Sequence, residues 1–237
     1  MRTLQLGDLN VRVVGGEDRE GGGNGPLVVL LHGYGAPGDD LVPLQRVLNV
    51  PSEVRFAFPE APLSPPDLAM YGGRAWWPID VMALQQAAAA GRARDRMRET
   101  PAGLVDARGQ VDVMLEALVR ELSVPADQLI LGGFSQGAML ALDVALHTSR
   151  ALAGLILLSS TFLNRDVWEP LMAARMDVPV LQTHGMQDPL LGFDIAVELR
   201  KALEKAGSKV EWVEFRGGHE LPHTVLDAMG KFIRAWV

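Results

Sequence analysis

Cysteine is absent from the 237 residues of this chain. Disulfide bonds and thiolate catalysis are therefore excluded. Basic residues are in the minority, because 22 lysines and arginines stand against 29 aspartates and glutamates, for a net charge of −7. Nucleic acids and anionic membranes bind basic surfaces, so we expect neither as a partner.

Long apolar runs are absent as well. Runs such as "ALAGLILL" at 151–158 are far shorter than the ~20 residues that a membrane span needs. The N-terminal "MRTLQLGDLNVRVVGG" alternates apolar and polar residues, which predicts a pair of strands, and it lacks the apolar core of a secretory signal. We therefore expect no integral membrane segment and a cytoplasmic location.

Short apolar segments alternate with helical patterns along the rest of the chain. Strands are predicted at 27–31, 54–59, 129–133, 152–160, 178–185 and 210–215. Helical spacing relates Val111, Met114, Leu115, Leu118, Val119 and Leu122, and again Ala196, Leu199 and Leu203. This alternation predicts one α/β domain over residues 1–237, with a mostly parallel sheet between helices.

The stretch "LILGGFSQGAML", residues 129–140, contains a G-x-S-x-G motif. The motif alone is weak, since chance produces it in roughly one chain of this length in ten. Here it lies where a predicted strand turns sharply into a predicted helix. A serine hydroxyl is a weak nucleophile until a base takes its proton, so Ser135 must project toward an imidazole. Gly133 and Gly137 remove side chains that would crowd such a turn.

An acid and a base follow other predicted strands. In open α/β sheets the ligand site lies beyond the carboxyl ends of the strands, where Ser135, Asp188 and His219 are all expected. Their order along the chain is that of the α/β-hydrolase triad. Other acids and bases lie within helical patterns and are the alternatives: Asp143, Asp194, Asp227 and His223.

Two backbone N–H groups are candidates for stabilising a developing oxyanion. One belongs to Gln136, the first residue of the predicted helix, and the other to Tyr34 in "LHGYG". Each such donor is typically worth ~2.7–4 kcal/mol of transition-state stabilisation. His32 and His184 precede glycines at strand ends and are interpreted as turn supports. No His pair has the H-E-x-x-H spacing, so we expect no catalytic metal.

Five ordered segments carry a family resemblance: "LHGYG", "FAFPEAP", "GGFSQGAML", "HGMQDP" and "GGHELP". From about Leu27 to the C-terminus the chain resembles the phospholipase/carboxylesterase family of α/β hydrolases, which includes bacterial carboxylesterases and acyl-protein thioesterases. The resemblance implies a serine hydrolase without a cofactor. It also implies Ser135, Asp188 and His219 as the triad and Tyr34 and Gln136 as oxyanion-hole residues.

The sequence departs from the family pattern in the segment "GGRAWWPID" and after it. The stretch that follows is longer than the family norm, so we predict a lid-like insertion over about 67–108, with an alanine-rich helix in "QQAAAAGRARDRMR". Apolar side chains beside an oxyanion site suit an acyl group. We therefore predict that Trp77, Trp76 and Tyr71 bind substrate.

These observations predict a serine carboxylesterase that hydrolyses short- to medium-chain acyl esters through an acyl-serine intermediate. An acyl thioesterase or a lysophospholipase is the alternative within the class, because thioesters and oxygen esters pass through similar tetrahedral states. A noncatalytic α/β-hydrolase-fold binding module is the alternative outside it. The expected partner is a small acyl ester, and the family resemblance leaves a homodimer open.

Overall fold

The computed structural model describes residues 1–237 apart from 81, 84, 85, 87, 88, 91–97 and 126. Its strands are β1 (Arg2–Leu6), β2 (Leu9–Gly15), β3 (Leu27–Leu31), β4 (Arg55–Pro59), β5 (Leu129–Phe134), β6 (Gly154–Leu158), β7 (Val180–Gly185) and β8 (Val210–Phe215). Helices in the described part are α1 (Leu44–Val47), α2 (Leu104–Glu121), α3 (Gln136–His147), α4 (Arg165–Arg175), α5 (Phe193–Lys205) and α6 (His223–Arg234), with a 3₁₀ turn at Ala69–Tyr71.

The eight strands form one sheet in the order β1-β2-β4-β3-β5-β6-β7-β8. The pairs β1–β2 and β2–β4 are antiparallel, and every other neighbouring pair is parallel. The N-terminal strands therefore extend one edge of an otherwise parallel sheet. The strand and helix pattern predicts this mostly parallel sheet, and the whole is the α/β-hydrolase fold that the family resemblance implies.

The sheet is buried on both faces, which explains why its central strands are continuously apolar. One core layer includes Ala138 of α3, Trp168 of α4 and Ile195 of α5. The opposite layer includes Leu44 of α1 and Val225 of α6. Strand β8, at the edge, has exposed side chains at Glu211 and Glu214 instead. Helices on both faces thus leave the ends of the parallel strands as the open surface where a site can form.

The predicted helix over 111–122 coincides with α2 up to Glu121, with Leu122 as the C-cap, and the pattern at Ala196, Leu199 and Leu203 lies within α5. Most of residues 81–97, the central part of the predicted insertion and of its alanine-rich helix, lies outside the described residues. The two flanks of that part, 77–79 and 99–102, are described and line a cavity at the carboxyl ends of the strands. No helix of the described residues is long and apolar enough to cross a membrane.

Candidate active site

Ser135 lies between the end of β5 and the first residue of α3, in a backbone conformation with φ 54° and ψ −118°. A positive φ is costly for a residue with a side chain, and such strain is typical of functional sites. The turn is also crowded, because a Cβ on Gly137 would collide with the backbone of Leu31 and His32, and one on Gly133 with the backbone of Gly137 and Leu31. These contacts explain why glycine is needed on both sides of the serine.

Asp188 and His219 form a hydrogen-bonded pair at the ends of β7 and β8. His219 Nδ1 lies 2.6 Å from Asp188 Oδ2. The Asp188 side chain is fully buried, whereas that of His219 keeps 13% of its surface exposed. The ring of Phe134 packs against the imidazole with 4.7 Å between ring centroids. Because His219 Nδ1–H donates its hydrogen bond to Asp188 Oδ2, Nε2 of His219 is the nitrogen left to take a proton.

The second oxygen of Asp188 is held by its own loop. Oδ1 accepts hydrogen bonds from the backbone N–H groups of Leu190 and Leu191, both at 2.9 Å. Burial alone would raise the pKa of Asp188, but the hydrogen bonds from His219 and from these two amides, with the attraction of the imidazole, outweigh it. The pKa of Asp188 therefore lies below its ordinary value, so this acid stays ionised.

Two backbone N–H groups near Ser135, those of Tyr34 and Gln136, have no acceptor among the described residues. The Gln136 amide is the first of helix α3, whose N-terminal end carries a partial positive charge. Tyr34 follows β3, the strand next to β5. Donors of this kind, aimed where negative charge develops, are the usual form of an oxyanion hole.

A cavity of about 510 Å³ contains Ser135 and His219 on its wall, together with Tyr34. Among the described residues no hydrogen bond joins the Ser135 hydroxyl to the His219 ring, and such bonds often tighten only when substrate is bound. The cavity is within the size range of small-molecule sites. It is lined mainly by apolar side chains, which include Trp77, Ile79, Met139, Phe162, Leu163, Leu190, Leu191 and Ile195.

A family model for phospholipases and carboxylesterases matches residues 20–237. The chain belongs to the phospholipase/carboxylesterase family. Acyl-protein thioesterase 1 of Neurospora crassa is 29% identical over 213 residues, which are 87% of this chain and 84% of that protein. The thioesterase 1 of Yarrowia lipolytica is 29% identical over 201 residues, or 80% of this chain and 82% of that protein.

Solved structures agree with this membership. The esterase PE8 superposes with a TM-score of 0.75 at 25% identity, covering 95% of this chain and 97% of its own. A Bacillus cereus carboxylesterase has a TM-score of 0.72 over 98% of this chain and 96% of its own, and at 17% identity it shows the fold alone. This family member is therefore a hydrolase of the serine type, and we set aside the noncatalytic alternative.

The structure places the three predicted substrate-binding residues differently with respect to the cavity. Trp77 lines the cavity, but Trp76 does not. Trp76 is only 2% exposed, and its indole N–H donates to the carbonyl of His32 at 2.9 Å. Tyr71 is 79% exposed and also lies off the cavity wall. Of the three, Trp77 lies where it could contact an acyl group, and the binding of substrate by these residues stays a prediction.

Sequence reasoning missed most of the cavity wall. Thr161, Phe162 and Leu163 come just after β6, and Leu190 to Gly192 come just after Asp188. Their position beyond the carboxyl ends of strands was the signal that could have found them. The acidic residue Asp40, in the loop after Tyr34, also lines the cavity.

The alternative acids and the alternative base lie away from the cavity; they are Asp143, Asp194, Asp227 and His223. Asp143 is buried in α3, where it binds Arg108 at 3.0 Å and the Trp168 indole at 2.7 Å. His223 is 86% exposed and lies 3.4 Å from Asp227 on α6. Asp194 is at the start of α5, and none of the four lines the cavity. The described residues include no group of three side chains suited to hold a metal ion.

Proposed function

We propose that this protein is a carboxylesterase that hydrolyses short- to medium-chain acyl esters through an acyl-Ser135 intermediate. The observation that carries the proposal is the shared cavity wall of Ser135 and His219, with the buried Asp188 bonded to the imidazole at 2.6 Å. These three side chains supply a nucleophile, a base and the acid that orients the base. The family's carboxylesterases and thioesterases support the same chemistry.

In the first half of the proposed reaction, Ser135 Oγ bonds to the ester carbonyl carbon while its proton moves to His219 Nε2. The carbonyl oxygen becomes an oxyanion, which the N–H groups of Tyr34 and Gln136 stabilise. When the carbon–oxygen bond to the alcohol breaks, His219 returns the proton to the leaving alkoxide. Asp188 remains ionised throughout and stabilises the imidazolium that forms between these steps.

In the second half, water replaces the alcohol. His219 takes a proton from water as its oxygen bonds to the acyl carbon, and an oxyanion forms again. Its collapse breaks the bond to Ser135, whose oxygen recovers a proton from His219. The products are a carboxylic acid, an alcohol and the free enzyme, so no cofactor is consumed.

An acyl thioesterase is the second candidate, because both curated relatives compared above are named acyl-protein thioesterases. A lysophospholipase is less well supported, since no lysine or arginine is among the described residues that line the cavity, whereas Asp40 is. A phosphate-bearing leaving group would lack a cationic partner there. An ester and a thioester with the same acyl chain separate the candidates: kcat/KM strongly favouring the thioester would overturn the esterase proposal. Cytoplasmic residence and a homodimer stay predictions.

The test is hydrolysis of p-nitrophenyl esters from C2 to C16 by the parent protein and by Ser135→Ala. We expect an optimum at short to medium chains and a loss of at least about 10⁴-fold in kcat for the variant, because the nucleophile is gone. Ser160→Ala is the matched control, since Ser160 is a buried serine off the cavity wall. A folded parent protein without activity on any ester would contradict the proposal.

A further inference from the structure

Gln136 has a fully buried side chain that joins the nucleophile helix to a distant segment. The backbone N–H of Trp76 donates to Gln136 Oε1 at 3.0 Å, and Gln136 Nε2 donates to the carbonyl of Trp77 at 2.8 Å. Both partners are main-chain atoms about 60 residues earlier in the chain. We call this segment, residues 74–77, the tryptophan strap.

The tryptophan strap also binds the loop that contains Tyr34. The N–H of Gly35 donates to the carbonyl of Arg74 at 2.8 Å, and the N–H of Arg74 donates to the carbonyl of Ala36 at 3.0 Å. The Trp76 indole donates to the carbonyl of His32 at 2.9 Å. The strap is therefore hydrogen-bonded to the chain on both sides of Tyr34 and, through Gln136, to helix α3.

One end of the strap is anchored by charge. The guanidinium of Arg74 lies 2.9 Å from Glu60, and the same carboxylate binds Arg12 at 3.0 Å. The other end, Trp77, packs its ring on the cavity wall. A single movement of the strap would thus displace one oxyanion donor relative to the other and alter the acyl cavity at the same time.

We propose that the Gln136 side chain is a positioning residue that sets the separation of the Tyr34 and Gln136 N–H donors through the tryptophan strap. The inference rests on the proposed function, since it assumes that these amides bind the oxyanion. Such donors must lie about 2.7–3.1 Å from the oxyanion, and a displacement near 1 Å can cost on the order of 10²-fold in rate.

A carboxamide suits this place because it accepts one hydrogen bond and donates another from the same plane. Methionine has a similar length and keeps neither bond. Glutamate keeps the acceptor for Trp76 but loses the donor to Trp77 while it is ionised. Gln136→Met therefore removes both hydrogen bonds, whereas Gln136→Glu removes only the one to Trp77 while the acid is ionised.

The matched control is Gln182, a second fully buried glutamine, whose Nε2 donates to the carbonyl of Ala196 at 2.9 Å. It lies on β7, off the cavity wall and away from the tryptophan strap. Gln182→Met removes a buried amide without touching the proposed oxyanion hole. Any general effect of losing a buried glutamine appears in both variants.

The experiment measures kcat and KM for p-nitrophenyl butyrate, and Ki for a trifluoromethyl ketone that forms a tetrahedral oxyanion adduct. For Gln136→Met we expect kcat to fall about 10- to 100-fold and Ki to weaken by a similar factor, with KM within about threefold. Gln182→Met should keep kcat and Ki within about threefold. Folding is checked by circular dichroism.

A folded Gln136→Met protein whose kcat and Ki match those of Gln182→Met overturns the inference, and so does a loss confined to KM. If Gln136→Met does not fold, Gln136→Glu decides. Its activity relative to the parent should rise as pH falls from about 9 to about 6, because the neutral acid can again donate to Trp77. A pH-independent loss, or no loss at pH 9, overturns it. Failure of the parent protein to hydrolyse esters would instead overturn the proposed function.

Discussion

The two halves of the site are held in different ways. In the half that we propose to transfer protons, the proton-transfer half, Asp188 is fixed by amides two and three residues ahead of it and by a distant side chain, His219. In the half that we propose to bind the oxyanion, the oxyanion half, the tryptophan strap is hydrogen-bonded both to the loop of Tyr34 and to the start of helix α3, and Gly137 also packs directly on the backbone that precedes Tyr34. The first half is therefore a local motif, and the second is an assembly of three segments far apart in the chain.

The substitution Asp188→Asn changes the Asp188–His219 pair of the proton-transfer half, and among the variants of this comparison we expect it to cause the largest loss of activity. The amide cannot balance an imidazolium and favours the wrong tautomer of His219, so we expect kcat to fall about 10³- to 10⁴-fold. Stopped-flow or steady-state hydrolysis of p-nitrophenyl butyrate measures the loss. Asp194→Asn, on an acid six residues further along, should stay within about twofold. Equal losses of kcat in both variants would contradict the proposed role of Asp188 in orienting His219.

The substitution Trp77→Leu tests the oxyanion half of the comparison. Trp77 belongs to the strap and lines the cavity, so a smaller side chain enlarges the acyl space. We expect the optimum of the p-nitrophenyl ester series to shift by about two or more carbons toward longer chains. Tyr71→Leu is the control, because Tyr71 lies off the cavity. An unchanged optimum in Trp77→Leu would mean that the acyl chain lies elsewhere in the cavity.

Each half also has a buried histidine followed by glycine. His32 Nδ1 donates to the carbonyl of Gly33 at 2.8 Å and its Nε2 accepts from the N–H of Ala61 at 3.1 Å. His184 Nε2 donates to the carbonyl of Leu191 at 2.8 Å. Burial lowers the pKa of both histidines below the ordinary value, so both are neutral. They support the two loops, as the sequence predicts.

From the two buried histidines, His32 and His184, we expect the smallest effect, which is a lower free energy of unfolding in acid. As pH falls below ~6.5 the unfolded chain binds protons that the folded protein excludes, so the free energy of unfolding decreases by at most ~1.4 kcal/mol per pH unit for each histidine. Urea unfolding at several pH values measures this slope. His184→Gln should make the slope shallower below that pH, and His223→Gln, on an exposed residue, should not. Identical slopes in the parent and His184→Gln would contradict the assignment.

The proton-transfer half could be predicted from sequence because its parts follow strand ends and recur as short motifs. Ser135 comes directly after β5, Asp188 lies three residues after the end of β7 and His219 four after the end of β8, and a parallel sheet brings such ends together. Tyr34 and Gln136 could be named for the same reason. The α/β architecture also followed from the alternation of apolar segments and helical patterns.

The tryptophan strap could not be predicted, because its hydrogen bonds join residues about 60 positions apart and use main-chain atoms that carry no sequence signal. Trp76 and Trp77 are identical in type, yet one packs under the Tyr34 loop and the other faces the cavity. Only the path of the backbone in this irregular segment decides between them. The exposure of Tyr71 is likewise decided by the path of the backbone.

The most direct test of the account is covalent labelling with a p-nitrophenyl alkylphosphonate, which phosphonylates an activated serine and mimics the tetrahedral intermediate. We predict that one phosphonyl group per chain abolishes ester hydrolysis and that peptide mapping by mass spectrometry places it on Ser135, with no label on Ser135→Ala. Loss of activity with the label on another residue, or full activity after Ser135 is modified, would contradict the acyl-Ser135 mechanism.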